Sequence, residues 1–353
     1  MKAKLAVVLL AVGALSSCGE ESVIYPPPQG DTLADRGIDS GPGDATLDAW
    51  DAGIDSVADQ VGPEMFVPDQ LVPDRFVPDQ LVPDRFVPDQ LVPDQLVPDM
   101  KVLDMCEKMA RSEGLTCKSM GNQKVTSLQN WAAGCYQLIN LTIDSAGTLL
   151  LQTNAVSKTP TTIIAKQVVV EAGAVIHSDY QGYAHDSGPG RGWTTSSSLG
   201  SGAGHGGKGG PRSGNPAGAT YGDRKYPILA GSGGGSKIAG SGGGAIRICA
   251  ATKITVNGHI RALGQTLNVG GSGGSILLIT PLMEGKGTID ASGGTPTSTI
   301  CGGVGGGGGG GRIAIRATTN KYTGTTRVNG GTSTCFSGSV SGMPGTVYLG
   351  GLP

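Results

Sequence analysis

From Tyr136 onward the chain alternates apolar and polar residues in short runs, first YQLINLTI, GTLLLQT and TTIIAKQVVV, later AIRICA, SILLIT and RIAIRA. A period of two predicts strands, with the branched residues on one face and the remainder, including Arg247, Arg312 and Arg316, on the other. These runs sit inside a larger unit. GSGGGSKIAGSGGGAIRICAATKITVNGHIRALGQ, GGSGGSILLITPLMEGKGTIDASGG and CGGVGGGGGGGRIAIRATTNKYTGTTRVNGG each read as a glycine run, an alternating strand, a Gly-bearing turn and a second short strand. Ile246 to Ile276 is a step of 30 residues and Ile260 to Ile289 a step of 29. That is the signature of a structural repeat, at a length that suits one coil of a parallel β-helix carrying a loop.

One such strand pair cannot bury its apolar face, so the units are expected to stack and merge their Ile and Val faces into one core. The fold class this predicts is all-β: a glycine-rich parallel β-helix-like head. The glycine runs are expected to supply positive φ at corners and to leave room where neighbouring coils pack. The competing reading takes Asn257-Gly258 as a hairpin turn inside a β-sandwich. Aligning the second strands places His177, Arg261, Asp290 and Asn329 in one outward column, with Arg261 beside Asp290. Residues 182–245 read as a long polar insertion in the repeat, where function concentrates when a fold carries one.

The chain ahead of this head is different. Only 8 of the 62 glycines precede residue 105, and residues 19–104 carry 19 acids against 4 bases, whereas residues 105–353 carry 20 bases against 9 acids. An acidic tether therefore leads to a basic head, which can attract polyanions with a salt-dependent strength. Residues 18–66 have no apolar period and read as a disordered linker. Residues 67–103 repeat VPDQL and VPDRF with proline at every fifth position, which blocks helix and sheet alike. At about 3.1 Å per residue this stalk spans on the order of 100 Å when extended. A short helix is expected from Asp104 to Ser112, with Asp104 as N-cap, Glu107 at the capping-box spacing and Gly114 as the stop. Together with Cys106, Cys117 and Cys135 it makes residues 104–135 a disulfide-bearing cap, and residues 136–353 the repeat domain.

MKAKLAVVLLAVGALSSCGEE opens with two lysines and an apolar run too short to span a bilayer, which fits a secretory signal over residues 1–17. Leu15-Ser16-Ser17-Cys18 resembles the bacterial lipobox, which implies lipid attachment at Cys18. Gly19 stands where enteric bacteria use aspartate to retain lipoproteins at the inner membrane, so the resemblance implies an outer-membrane, lipid-anchored protein at the cell surface. Six cysteines then remain for an oxidising compartment, and none has zinc-type spacing. Cys301 and Cys335 end equivalent loops of successive repeats and are expected to pair; the partner of Cys249 stays open.

The run GYxHDSGPGRG, GAGHGGKGG, YGDxxxPxxxGSGGG, GGGAIRIxA, NGHIRALG, GGSGGSILL and GGGGGGRIAI resembles the glycine-rich repeat region of secreted bacterial lipoproteins and of larger glycine-rich surface proteins of plants and protists. The resemblance covers residues 168–317 and implies a surface location and a repeat fold, with no activity attached. GAGHGGK at 202–208 lacks the Ser or Thr that a phosphate-binding loop requires, and no helix follows it. His177, Asp179, His185 and Asp186 crowd one stretch, and Tyr180, Tyr183, Trp193, Tyr221 and Tyr226 supply faces on which sugar rings can stack. The candidate ligand-binding residues are His177, Asp179, Tyr180, Tyr183, His185, Asp186, Trp193, Tyr221 and Arg261. The function expected is structural, adhesive or glycan-binding, with acidic polysaccharide or matrix as partner, nucleic acid only as non-specific extracellular DNA, and no cofactor or metal. The alternative is a polysaccharide lyase or hydrolase of β-helix type using the same residues for acid–base work.

Overall fold

The computed structural model describes residues 97–352, apart from 155, 195–199, 213, 298–304 and 333–339. Signal, linker, most of the stalk and the Cys301–Cys335 pairing lie outside the described residues. Within them, the chain alternates between two parallel sheets. Seven strands form the first in the order β1 (Cys117–Val125), β3 (Cys135–Ile143), β5 (Thr161–Val170), β7 (Ala245–Val256), β9 (Ser275–Gly285), β11 (Arg312–Tyr322) and β13 (Thr346–Gly350). Six shorter strands form the second: β2 (Leu128–Trp131), β4 (Thr148–Leu151), β6 (Val175–His177), β8 (His259–Arg261), β10 (Thr288–Asp290) and β12 (Thr325–Arg327). Asn257-Gly258 therefore turns from one sheet into the other and closes no antiparallel hairpin.

Register follows the branched residues. Ile163, Ile248, Leu278 and Ile315 stand in line across the long sheet, and Leu149, Ile176, Ile260 and Ile289 across the short one. All are buried in one core between the sheets, where each contributes roughly 2 kcal/mol of hydrophobic stabilisation. The outward column differs from expectation at its end. Arg327, not Asn329, stands beside Asp290, because the turn glycines Gly287 and Gly324 stay aligned, the Thr325 amide donating to the Gly287 carbonyl. A shift of two residues preserves the face, so side-chain alternation alone could not detect it.

The face expected to be polar is also buried over much of its length. Arg247, Arg312 and Arg316 are 0%, 7% and 6% exposed, because other elements cover them. Helix α1 (Val97–Ser112) lies over β5, β7 and β9 through Val102, Cys106 and Ala110, spaced every four residues along one helix face. It begins seven residues before Asp104, which sits mid-helix and pairs with Lys108 at 2.7 Å. Pro98 is tolerated there because first-turn amides have no intrahelical partner. Gly114, at φ +74°, ends it as expected. Cys106 is bonded to Cys249 on β7, and Cys117 to Cys135 across β1 and β3. The helix is thus a cover on the flank of the sheet and not a cap on the end of the stack. Beneath it Arg247 pairs with Glu113, and beyond it Arg316 lies 4.3 Å from the ring centre of Tyr226 and 5.7 Å from that of Tyr348.

The glycine runs build a third body. Along Gly306–Gly311 successive amides donate to three neighbours in rotation: Gly306 and Gly309 to Gly200 and Ala203, Gly307 and Gly310 to Val340 and Met343, Gly308 and Gly311 to Gly294 and Ala291. Gly270–Gly274 repeats this, with Gly270 and Gly273 donating to Gly306 and Gly309, and Gly271 and Gly274 to Gln265 and Ala262. Three residues per turn without internal hydrogen bonds is the repeat of a polyproline II helix, and the segments pack side by side mainly through backbone, with serine hydroxyls such as those of Ser232 and Ser272 joining in. No glycine in these runs has positive φ. Their lack of a side chain is what the packing uses. The insertion belongs to this array and does not interrupt it, since Ala203, Gly207 and Gly210 donate to Gly270, Gly310 and Gly307.

Candidate functional site

The nine sequence candidates for ligand binding resolve into two surface clusters, one tyrosine between them and one tyrosine turned inward. The first cluster sits where β6 leaves the short sheet. Ser178 is buried and anchors this corner, its hydroxyl donating to the Leu151 carbonyl at 2.7 Å. Asp179, 7% exposed, then reaches across to the next repeat. One carboxylate oxygen accepts from the Leu263 amide at 2.9 Å, and the other lies 3.0 Å from Arg261 and 3.3 Å from His177. Arg261 therefore pairs with Asp179 and not with Asp290, which instead accepts from Ser292. Held by a backbone amide on one oxygen and an ion pair on the other, Asp179 is a clamp between successive repeats. Tyr180 follows at φ +65° and stands 46% exposed.

The second cluster lies on residues 184–194, which the glycine array holds at many points. The Asp186 amide donates to the Gly234 carbonyl, the Gly190 amide to the Ser232 hydroxyl, the Gly192 amide to the Gly233 carbonyl and the Trp193 amide to the Ser201 hydroxyl. Trp193 is 51% exposed, with the Arg191 guanidinium 5.9 Å from its ring centre. The Asp186 carboxylate accepts from Thr194 and lies 3.6 Å from His185. Tyr183 lies between the clusters, with Lys158 5.7 Å above its ring and bonded to the Gly182 carbonyl at 3.0 Å. Burial holds the Lys158 ammonium below its ordinary pKa.

Arg191 and Lys158 are the residues that sequence reasoning passed over. Arg191, two positions before Trp193, carried a faint signal; Lys158 sits 25 residues before Tyr183 in the chain and carried none. Exposed aromatic faces beside cations suit the stacking of sugar rings and the pairing of their acidic groups. The carboxylates are already engaged, Asp179 by the Leu263 amide and Arg261, and Asp186 by Thr194.

Tyr221 is the inward one. Its hydroxyl donates to the Ala230 carbonyl at 2.5 Å and accepts from Ser232, and its ring lies 4.6 Å from that of His205. Desolvation raises its pKa. His205, fully buried, is 2.8 Å from the Gly273 carbonyl, which can only accept and so assigns the proton to Nδ1. Desolvation first, then the nearby Arg312 charge, brings its pKa down to about 4. Between that value and the unfolded value of 6.5 the unfolded chain binds a proton that the folded one excludes. Stability contributed by this histidine is therefore complete above about pH 6.5 and is lost as pH falls toward 4, by about 3 kcal/mol. Denaturation midpoints measured across that window should fall with pH in the native chain. In His205→Asn, whose amide keeps the bond to Gly273, this part of the slope should vanish; an unchanged slope would refute the assignment. Comparison with known proteins adds no relative to this geometry: no family model, curated protein or solved structure matches the chain.

Proposed function

We propose that this chain is an outer-membrane lipoprotein, anchored at Cys18, whose β-helix-like head is displayed at the cell surface on an extended tether and binds acidic glycan. The alternation of the chain between two parallel sheets supports the solenoid reading, and the lipobox-like motif supports the anchor. The observation that carries the binding function is the half-exposed Trp193 indole beside the Arg191 guanidinium, on a loop whose backbone is fixed to the glycine array. A preset platform spends little ordering entropy on its ligand. The head's excess of bases, 20 against 9 acids, favours a polyanion over a neutral chain.

The test is titration of the full chain with an acidic polysaccharide such as polygalacturonate and with neutral dextran, at low and high salt. The acidic chain should bind, more weakly at high salt, and Trp193→Ala or Arg191→Ala should weaken it at least about tenfold. Equal binding by the variants, or none by the native protein, would remove the platform reading. New reducing or unsaturated chain ends in the mixture would instead establish the polysaccharide lyase or hydrolase alternative. A Cys18→Ala chain that stays in the membrane fraction would overturn the anchor.

A further inference from the structure

The two edges of the seven-stranded sheet are finished differently. On β1 the register with β3 is broken on both sides of Gly121, which has φ +65°, and the strand carries Lys118 and Lys124. Bulges and lysines are the devices that keep an edge strand from pairing with another chain. Strand β13, TVYLG, has neither. It pairs with β11 without an offset, bears no charge, and leaves its core-side residues Val347 and Leu349 40% and 60% exposed. The Thr346 amide donates to the Gly311 carbonyl of the preceding strand connection. By strand alternation the peptide groups of Tyr348 and Gly350 also turn toward β11, and those of Val347 and Leu349 turn toward the open edge.

We propose that β13 is the interface through which two copies of this chain join, edge to edge and antiparallel, about a two-fold axis through Tyr348. The strand is self-complementary about that residue. Val347 stands opposite Leu349 of the partner subunit, and Leu349 opposite Val347 of the partner subunit. Both pairs are of the hydrogen-bonded type, so the four outward amides and their carbonyls are satisfied together. A two-fold normal to the sheet keeps the inner faces on one side, so both exposed apolar pairs are covered by the same contact. Head-to-tail stacking would need β1 as the receiving edge, and β1 is bulged and charged. The assembly closes at two copies and does not grow into a filament.

Sedimentation of the full chain up to ~0.5 mM, the range that reports weak association, should show a monomer–dimer equilibrium. Val347→Lys with Leu349→Lys sets lysine against lysine in both pairs and should weaken association at least tenfold. Val347→Glu with Leu349→Lys sets glutamate against lysine and should restore the dimer, a rescue that only the antiparallel register allows. Tyr348→Cys is the check that does not depend on charge at the core edge. Residues paired across the axis at this position have Cα atoms about 4.5 Å apart, within disulfide reach, so it should cross-link into a covalent dimer under mild oxidation where the native chain does not. A native chain that stays monomeric, forms open-ended polymers, or carries a Tyr348→Cys that fails to cross-link would overturn the proposal.

Discussion

Gly308→Ala is expected to destabilise the folded head by at least about 3 kcal/mol, a large effect for one added methyl group. A β-carbon there would sit 1.9 Å from the Gly271 carbonyl oxygen and 2.5 Å from its carbon. Neither neighbour can retreat. The Gly271 amide is bonded to Gln265 and the Gly308 amide to Gly294, whose own amide bonds back to Gly271. Moving one segment therefore breaks bonds to three others. Gly134→Ala is the control, because its added β-carbon would meet nothing within 4 Å and its φ is not positive; it should change stability by less than about 0.5 kcal/mol. Denaturant midpoints of the two variants decide the matter. Equal midpoints would mean that the array tolerates side chains and that its close packing is not what stabilises it.

Removing the Cys106–Cys249 bond, by Cys249→Ser with Cys106→Ser, is expected to cost about 4–5 kcal/mol, more than removing Cys117–Cys135 at about 3 kcal/mol. The two bridges close loops of sequence separation 143 and 18, and the longer loop restrains the unfolded chain more. The site of damage should differ as well. Without the bridge, α1 is held over the sheet by the cluster around Val102 and Ala110 and by the Glu113–Arg247 pair. Lifting the helix would leave Arg247, 0% exposed in the native head, facing water, so hydrogen exchange should quicken over residues 97–112 while the central strands stay protected. Unchanged exchange in the helix would show that its apolar face suffices.

The strands were legible because side chains alternate with a period of two and the repeat recurs every 29 or 30 residues, both visible in letters. The pairing of His177 with Arg261 followed from that repeat. What was hidden depends on neighbours. Arg247, Arg312 and Arg316 look like a solvent face until α1 is laid over the first, the main chain at His205 and Tyr221 over the second, and the rings of Tyr226 and Tyr348 over the third. The partner of Cys249 was open because α1 reaches the sheet from more than a hundred residues away. Tyr221 and Trp193 are both aromatic residues in a glycine-rich stretch, and only the hydroxyl bonds to Ala230 and Ser232 show which one turns inward. The array was the largest omission. Its period of three lies in the direction of amides, and glycine leaves no side chain through which a sequence could express it.

That array buries peptide groups where an ordinary core buries hydrocarbon. Exposing apolar surface raises the heat capacity of unfolding and exposing polar surface lowers it. The many glycines packed here should accordingly bring the increment below the usual value of about 12–15 cal/mol/K per residue. A smaller increment flattens the curve of stability against temperature, so this head should lose less of its stability than a hydrocarbon-cored domain of equal size as it is cooled or warmed away from its optimum.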